Sequence, residues 1–385
     1  MLHSRRAFLA QSLAASALAL APLERLAATA RFSAYPFQLG VASGEPLPDG
    51  FVLWTRLAPD PTDPATLGSA AYELTWEVAL DGGFTRLAAS GTALARPHLA
   101  HAVHVEVGGL APASEYFYRF RLGSLESPVG RAVTAPAAGA TVDRLRFAIT
   151  SCAHYEQGFF GAYRAIAEDR PELVLGLGDY LYEASFGRRR VRLFHAPEAA
   201  TLADYRRYYA EYRLDPDLQA AHAACPWLVT WDDHEVENDY ATLTSEHEIC
   251  GGARIREAFP ARRAAAYQAW FEHLPVRPSR LLGGDGIRVY GSVDWGALAR
   301  FHVLDTRQFR SPQACSLPPT PVRCDTAAGR KIRGGGAGGD ALVDPREPGC
   351  RAALEHPARS VLGDGQERWL DGALAESGAR WNFIA

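Results

Sequence analysis

Leu173-Val174-Leu175-Gly176-Leu177-Gly178-Asp179-Tyr180-Leu181-Tyr182-Glu183 is an apolar run that stops abruptly at Gly-Asp. A fully buried parallel strand reads this way: aliphatics without alternation, then glycine where the chain leaves the sheet. Residues just past the carboxyl end of such a strand face the crevice in which α/β proteins bind ligands. Asp179 and Tyr182 stand there, a carboxylate and a phenol on one turn, both able to reach a hard metal ion. Taken alone, a Gly-Asp is more often a helix cap with a tyrosine packed beside it. The segments on either side therefore decide the reading.

Both neighbours repeat the pattern. Leu145 to Cys152 reads as a strand ending in Cys152, and Trp227 to Trp231 as a buried strand ending in Asp232-Asp233-His234-Glu235. Asn238-Asp239-Tyr240 follows. Helical stretches over 160–170 and 202–224 separate these strands, which predicts a layered α/β domain. Singly, each residue has a bland account: a buried cysteine as a small hydrophobe, an aspartate as a cap, a histidine satisfied in the core. Three such groups in series at one sheet rim are hard to explain as packing. Thiolate, phenolate and carboxylates together suit a ferric ion, whose charge keeps Tyr and Cys ionised. Oxygen ligands alone suit Ca²⁺, Mg²⁺ or Mn²⁺.

Upstream, residues 36–136 read as all-β. Short strands fall at 40–44, 51–56, 72–79, 101–107 and 116–120, with Asp81-Gly82-Gly83 as one turn. Gly109-Leu110-Ala111-Pro112 before Tyr116-Phe117-Tyr118 resembles the tyrosine corner of immunoglobulin and fibronectin type III sandwiches. His98, His101 and His104 are read as surface or edge histidines, since strand residues three apart face opposite ways. Residues 135–140 form a linker, and a second domain spans 144–385. Downstream, 262–274 reads as helix, 287–290 and 299–306 as strands, and 365–377 as helix. Residues 311–360 read as a Gly/Pro-rich insertion, flexible at its centre. The sequence stops in the strand-like Trp381-Asn382-Phe383-Ile384-Ala385, which reads as a piece of a longer protein or a variant that lost its end.

The 385 residues are 48% hydrophobic and carry a net charge of −4, which leaves no basic footprint for nucleic acid. The one concentrated basic run is Arg188-Arg189-Arg190 with Arg192. Such runs are mostly solvated, although one near a site can hold an anionic substrate. Ser4-Arg5-Arg6-Ala7-Phe8-Leu9, the Ala/Leu-rich stretch to Ala21 and Ala28-Thr29-Ala30 read as a twin-arginine (Tat) signal over residues 1–30. The Tat machinery exports folded proteins, so this implies a periplasmic or secreted location with no transmembrane anchor after cleavage. Six cysteines in an exported chain invite disulfides, Cys315 with Cys324 first. Cys225 reads as simply buried.

At these residues the sequence resembles the PhoD-type alkaline phosphatases of the calcineurin-like metallophosphoesterase superfamily. The matching stretches are Gly40-Val41-Ala42-Ser43-Gly44-Glu45-Pro46, Phe51 to Arg56, Ser151-Cys152, Gly178 to Glu183, Trp231 to Val236 and Leu304 to Gln308. The resemblance implies an α+β multidomain fold: an immunoglobulin/fibronectin III-like β-sandwich, then a four-layer αββα metallophosphoesterase domain. It implies Fe³⁺ with Ca²⁺ (alternatively Mn²⁺ or Mg²⁺) and hydrolysis of phosphate esters, diesters and monoesters, by a metal-activated hydroxide. By position, Cys152, Asp179 and Tyr182 would hold iron with Asp179 bridging. Asp233 would be a further ligand, Asn238 a weaker one, and His234 the catalytic proton donor. The family's late Gly-Asp-x-His motif does not occur in this sequence. A catalytically silent binding or scaffold protein is therefore the rival reading. A purple acid phosphatase relative is disfavoured by Cys152 and Asp-Asp-His-Glu, and a serine hydrolase by the absence of a Gly-x-Ser-x-Gly elbow at Ser151.

Overall fold

The computed structural model describes residues 32, 34–63, 65–185, 189–194, 197–246, 253–283, 286–314, 324–325, 330–331 and 348–385. The first strands are β1 (Val41–Leu47), β2 (Gly50–Arg56), β3 (Tyr72–Ala79), β4 (Leu87–Ala95), β5 (Ala102–Val107), β6 (Glu115–Leu122), β7 (Leu125–Glu126) and β8 (Gly130–Val133). Strands and helices then alternate: β9 (Phe147–Thr150), α1 (Gly161–Asp169), β10 (Leu173–Leu177), α2 (Leu202–Arg213), α3 (Pro216–Ala224), β11 (Pro226–Thr230) and α4 (Ala253–His273). The remainder is β12 (Leu281–Gly283), β13 (Gly286–Ile287), β14 (Gly291–Trp295), β15 (Ala299–Val303), β16 (Cys324–Asp325), β17 (Arg330–Lys331), α5 (Pro348–Leu354), α6 (Gly363–Ala375) and β18 (Trp381–Ile384).

Six strands form one mixed sheet in the order β5-β2-β1-β11-β10-β9. β9, β10 and β11 are mutually parallel, so their carboxyl ends share a rim. One face of these strands packs under the helices: Val174, Trp227 and Val229 meet Tyr163, Tyr205, Tyr212, Leu218 and Trp270. The other face, with Leu173, Leu175 and Leu228, packs on Val293, Trp295, Phe301 and Val303 of a second sheet, β14-β15-β18. α6 lies beyond that sheet, with Trp369 at 6.3 Å from His302 and the Ala373 carbonyl accepting from Arg300. The layers from one side to the other are thus helix, sheet, sheet, helix.

The N-terminal strands do not make a closed unit. β1, β2 and β5 face β3, β4, β6 and β8 across a core of Phe51, Leu53, Val103, Leu74, Val78 and Phe120. Yet β1 also pairs in parallel with β11, at Ser43↔Pro226 and Gly44↔Trp227. The pairing needs glycine: a Cβ on Gly44 would fall 2.3 Å from the Pro275 carbonyl oxygen. Arg131 reinforces the seam by donating to the carbonyls of Pro171 and Ala224. The tyrosine-corner contact is present, with the Ala111 N–H donating to Tyr116 Oη at 2.9 Å.

Several expectations need correction. The run 202–224 is two helices, because Pro216 lacks an N–H and Asp215 caps α3 by accepting from the backbone of Asp217 and Leu218. α4 starts at Ala253 and runs through Pro260, nine residues before the expected start. The strand expected at 287–290 ends at Ile287, and β14 follows it. His101 and His104 are not edge residues: His101 is buried and bonds the Ala70 carbonyl, and His104 stacks on Phe271 and bonds the carbonyls of Phe271 and Leu274. His98 is exposed. Cys225 is a buried free thiol. Part of the 311–360 insertion is helix α5, and Cys350 within it is disulfide-bonded. The Cys315–Cys324 pairing, the centre of the insertion and the signal segment lie outside the described residues. No described helix is long and apolar enough to cross a membrane.

Candidate metal centre

The rim of β9, β10 and β11 carries the three expected groups side by side. Cys152 follows β9, Asp179 follows β10, and Asp233 with His234 follows β11. Gly178 makes the exit from β10 possible. Its φ is +87°, and a Cβ there would fall 2.3 Å from the Asp232 nitrogen. Cys152 (φ 55°) and Asp179 (φ 50°) are also left-handed, a conformation that costs a residue with a side chain about 1–2 kcal/mol. The loops are then cross-tied: Cys152 N–H donates to the Gly178 carbonyl, and Ala153 N–H to that of Asp179.

Four of the expected ligands and the expected proton donor converge. Single donor atoms of Asp179, Asp233 and His234 all lie within 4.8 Å of one another, a group able to hold a metal ion. Asp179 Oδ2 accepts from Tyr182 Oη at 3.2 Å and from Cys152 Sγ at 3.4 Å. Asn238 is turned differently: its amide nitrogen donates to Glu246 Oε2 at 2.8 Å and Asp239 Oδ2 at 3.2 Å.

The donor set fits a cation on the molecule's own terms. Asp179 Oδ1 is buried and has no hydrogen-bond partner, which is costly for a carboxylate oxygen. Burial, and then the fields of Asp233 and Asp232, raise the Asp179 pKa, against the opposing pull of His234. Burial and the neighbouring Asp179 also push up the Cys152 thiol and the Tyr182 phenol. Negative charge on any one of these groups disfavours it on the others. A polyvalent cation would reverse that balance and let all three ionise together.

Four residues that sequence reasoning left without a role hold the site in shape. Glu183, wholly buried, accepts from His234 Nδ1 at 2.7 Å and from the Asn238 N–H at 3.1 Å. Burial works to lower the His234 pKa, but the Glu183 bond and the fields of Asp233 and Asp179 outweigh it and push it up to about 9. Glu235 clips two rim loops together by accepting from the Tyr180 N–H at 2.6 Å and the Asp232 N–H at 2.9 Å. Arg307 pairs with Asp232 at 2.5 Å and Asp233 at 3.4 Å; burial works to raise the Asp233 pKa, but Arg307, His234 and the Asp239 N–H outweigh it and hold that carboxylate below the usual range. His154 lays its ring 4.4 Å from that of Tyr182, which also meets His234 at 4.1 Å. The only sequence signal was for Glu183 and Glu235: a carboxylate at the end of an apolar strand and its exit loop must find a buried partner.

The comparisons with known proteins cover the stretch that carries this geometry. The family model described as PhoD-like phosphatase matches residues 147–385, and that of its N-terminal domain matches 23–136. The chain belongs to the PhoD-like phosphatases. It is similar to alkaline phosphatase D of Bacillus subtilis (strain 168), at 44% identity over 365 residues that make up 93% of this chain and 57% of that one. It is also similar to a solved structure described as the structure of PhoD, with a TM-score of 0.80 at 44% identity over 92% of this chain and 63% of the other. This PhoD-like chain therefore spans little more than half the length of the curated relative it matches.

Proposed function

We propose that this PhoD-like chain is a metal-dependent hydrolase of phosphate esters, diesters and monoesters, acting outside the cytoplasm. The convergence of Asp179, Asp233 and His234 beside an unpartnered buried carboxylate oxygen carries the reading. Cys152, Asp179 and Tyr182 would hold Fe³⁺. Asp233, with Asn238 as a weaker ligand, would hold a second ion, Ca²⁺ or alternatively Mn²⁺ or Mg²⁺. Bound cations supply charge to neutralise phosphate oxygens and a water acidic enough to attack near neutral pH. The chain's own residues do the rest. Glu183 fixes the His234 ring through Nδ1, so the proton that His234 passes to a leaving oxygen is the one on Nε2. Arg307 and the Asp239 N–H fix Asp233 from opposite oxygens. The left-handed turns at Cys152 and Asp179 aim both side chains into the rim.

Residues 1–30 as a Tat signal, an immunoglobulin-like character for 36–136 and a metallophosphoesterase domain over 144–385 belong to the same proposal. The test is metal analysis of the purified chain with hydrolysis of bis(p-nitrophenyl) phosphate. Iron with a tyrosinate-to-iron absorption band, and turnover lost in Asp179→Asn, is the expected result. Turnover undiminished in Asp179→Asn overturns it.

A further inference from the structure

Of the arginine run, Arg190 and Arg192 are tied by the fold to the loop that follows Cys152. Glu156, four residues past Cys152 and wholly buried, is the anchor. Its side chain accepts from Ser185 Oγ at 2.7 Å and from the Phe194 N–H at 3.2 Å, and its carbonyl accepts from the Val191 N–H at 2.8 Å. The described parts of segment 183–194 are thereby strapped beside the Cys152 loop. Ser185 lies two residues beyond Glu183, the partner of His234, which is at most about 7 Å along the chain. Arg190 Nη1 donates to that same Ser185 Oγ at 2.6 Å.

The arginines divide by their partners. Arg192 is structural: it donates to the Tyr155 carbonyl, pairs with Asp215 at 2.7 Å and stacks 3.7 Å over the Tyr155 ring. Arg190 is exposed and shares its charge with Glu156 at 3.5 Å. Arg189 is exposed and has no hydrogen bond or ion pair among the described residues. The carboxylates that fix the strap are thus committed to Arg190 and Arg192, and Arg189, next to Arg190 in the chain, is a cation without a partner among the described residues.

We propose that Arg189 and Arg190 form an anion subsite beside the metal centre. It selects phosphoesters that carry a second negative group a few ångströms from the phosphorus under attack. The inference rests on the phosphatase reading above for its substrate. Guanidinium groups suit such a role because their forked N–H donors match phosphate and carboxylate oxygens. Their reach at about 0.1 M salt is roughly 10 Å, so the preference weakens as salt rises.

Two chromogenic esters isolate the effect: thymidine 5′-(p-nitrophenyl phosphate) and the same compound with a 3′-phosphate. They share the leaving group and differ by one anionic group. The metal-loaded full chain is expected to prefer the 3′-phosphorylated ester by about tenfold in kcat/KM. Arg189→Glu should abolish the preference, Arg190→Lys should weaken it, and 0.5 M NaCl should shrink it. Equal kcat/KM for the two esters in wild type, or a preference that survives Arg189→Glu, overturns the subsite. Calorimetric binding of thymidine 3′,5′-bisphosphate against thymidine 5′-phosphate reads the same contrast without turnover. A chain that binds the bisphosphate selectively but hydrolyses neither ester keeps the subsite and sinks the phosphatase reading instead.

Discussion

Asp179 bears two burdens at once. Its backbone is left-handed, and its Oδ1 is buried with no partner. Asn tolerates the left-handed region better than other residues of its shape and leaves no charge to compensate. Asp179→Asn is therefore expected to fold with an unchanged or higher Tm in metal-free protein, while hydrolysis falls about 10³-fold and bound iron is lost. Calorimetry and metal analysis on one preparation check both halves. Glu183 acts one step further out, on His234 rather than on substrate. Glu183→Gln keeps the shape but not the charge, and kcat/KM should fall about 10–100-fold, as is usual when the partner behind a functional imidazole is neutralised. An unchanged value would mean that His234 is oriented by its ring contact with Tyr182 instead.

At the scale of elements, the β10 exit tolerates least. Alanine at Gly178 would face both a left-handed φ and the Asp232 backbone at 2.3 Å. Gly178→Ala is expected to cost at least about 3 kcal/mol, seen as a lower urea midpoint with disordered metal binding. β5 and α4 meet through His104, whose burial pushes its pKa down to about 4 against the pull of two carbonyl bonds. The unfolded chain titrates near 6.5. Stability is thus complete above pH 6.5 and declines as pH falls toward 4, because the unfolded state alone takes up the proton. His222 and His273, also lowered by burial, act in the same sense. Unfolding free energies from urea titrations at pH 7 and pH 5 should differ by on the order of 2 kcal/mol less in His104→Gln than in wild type. The elements that were legible in the sequence were those with strong local signals. β3 alternates cleanly over 72–79, and the aliphatic runs of β10 and β11 carry their polar residues just past the end. β4 was not legible, because Leu-Ala-Ala-Ser-Gly-Thr-Ala-Leu-Ala has Thr92 as its one β-branched residue and no aromatic, and is held by pairing with β3. Nor was the break before α3 read, although Asp215-Pro216 announces it.

For the whole molecule, the candidate site was legible as residues and illegible as an arrangement. Cys152, Asp179, Tyr182, Asp233 and His234 could be named from strand ends alone. Arg307 and Glu156 could not be placed, because they act through contacts 74 and 29 residues away in sequence. The seam between the two halves was hidden for the same reason, since β1↔β11 pairing leaves no local trace. One sheet spanning both halves implies one cooperative transition. Differential scanning calorimetry should show a single endotherm, and Gly44→Val, which forces β1 from Pro275, should lower it as a whole rather than split it. Two separable endotherms in wild type would contradict the shared sheet.

That seam also sets a clock. Ser43 emerges from the ribosome about 180 residues before Pro226, its partner across the sheet. At roughly 5–20 residues per second, the unpaired edge of β1 waits on the order of 10–40 seconds for β11 to arrive. During that interval the nascent chain presents an apolar strand edge that any other extended segment can join. Synthesis speed, or a holding chaperone, therefore bears on the yield of this protein in a way that its final stability does not record.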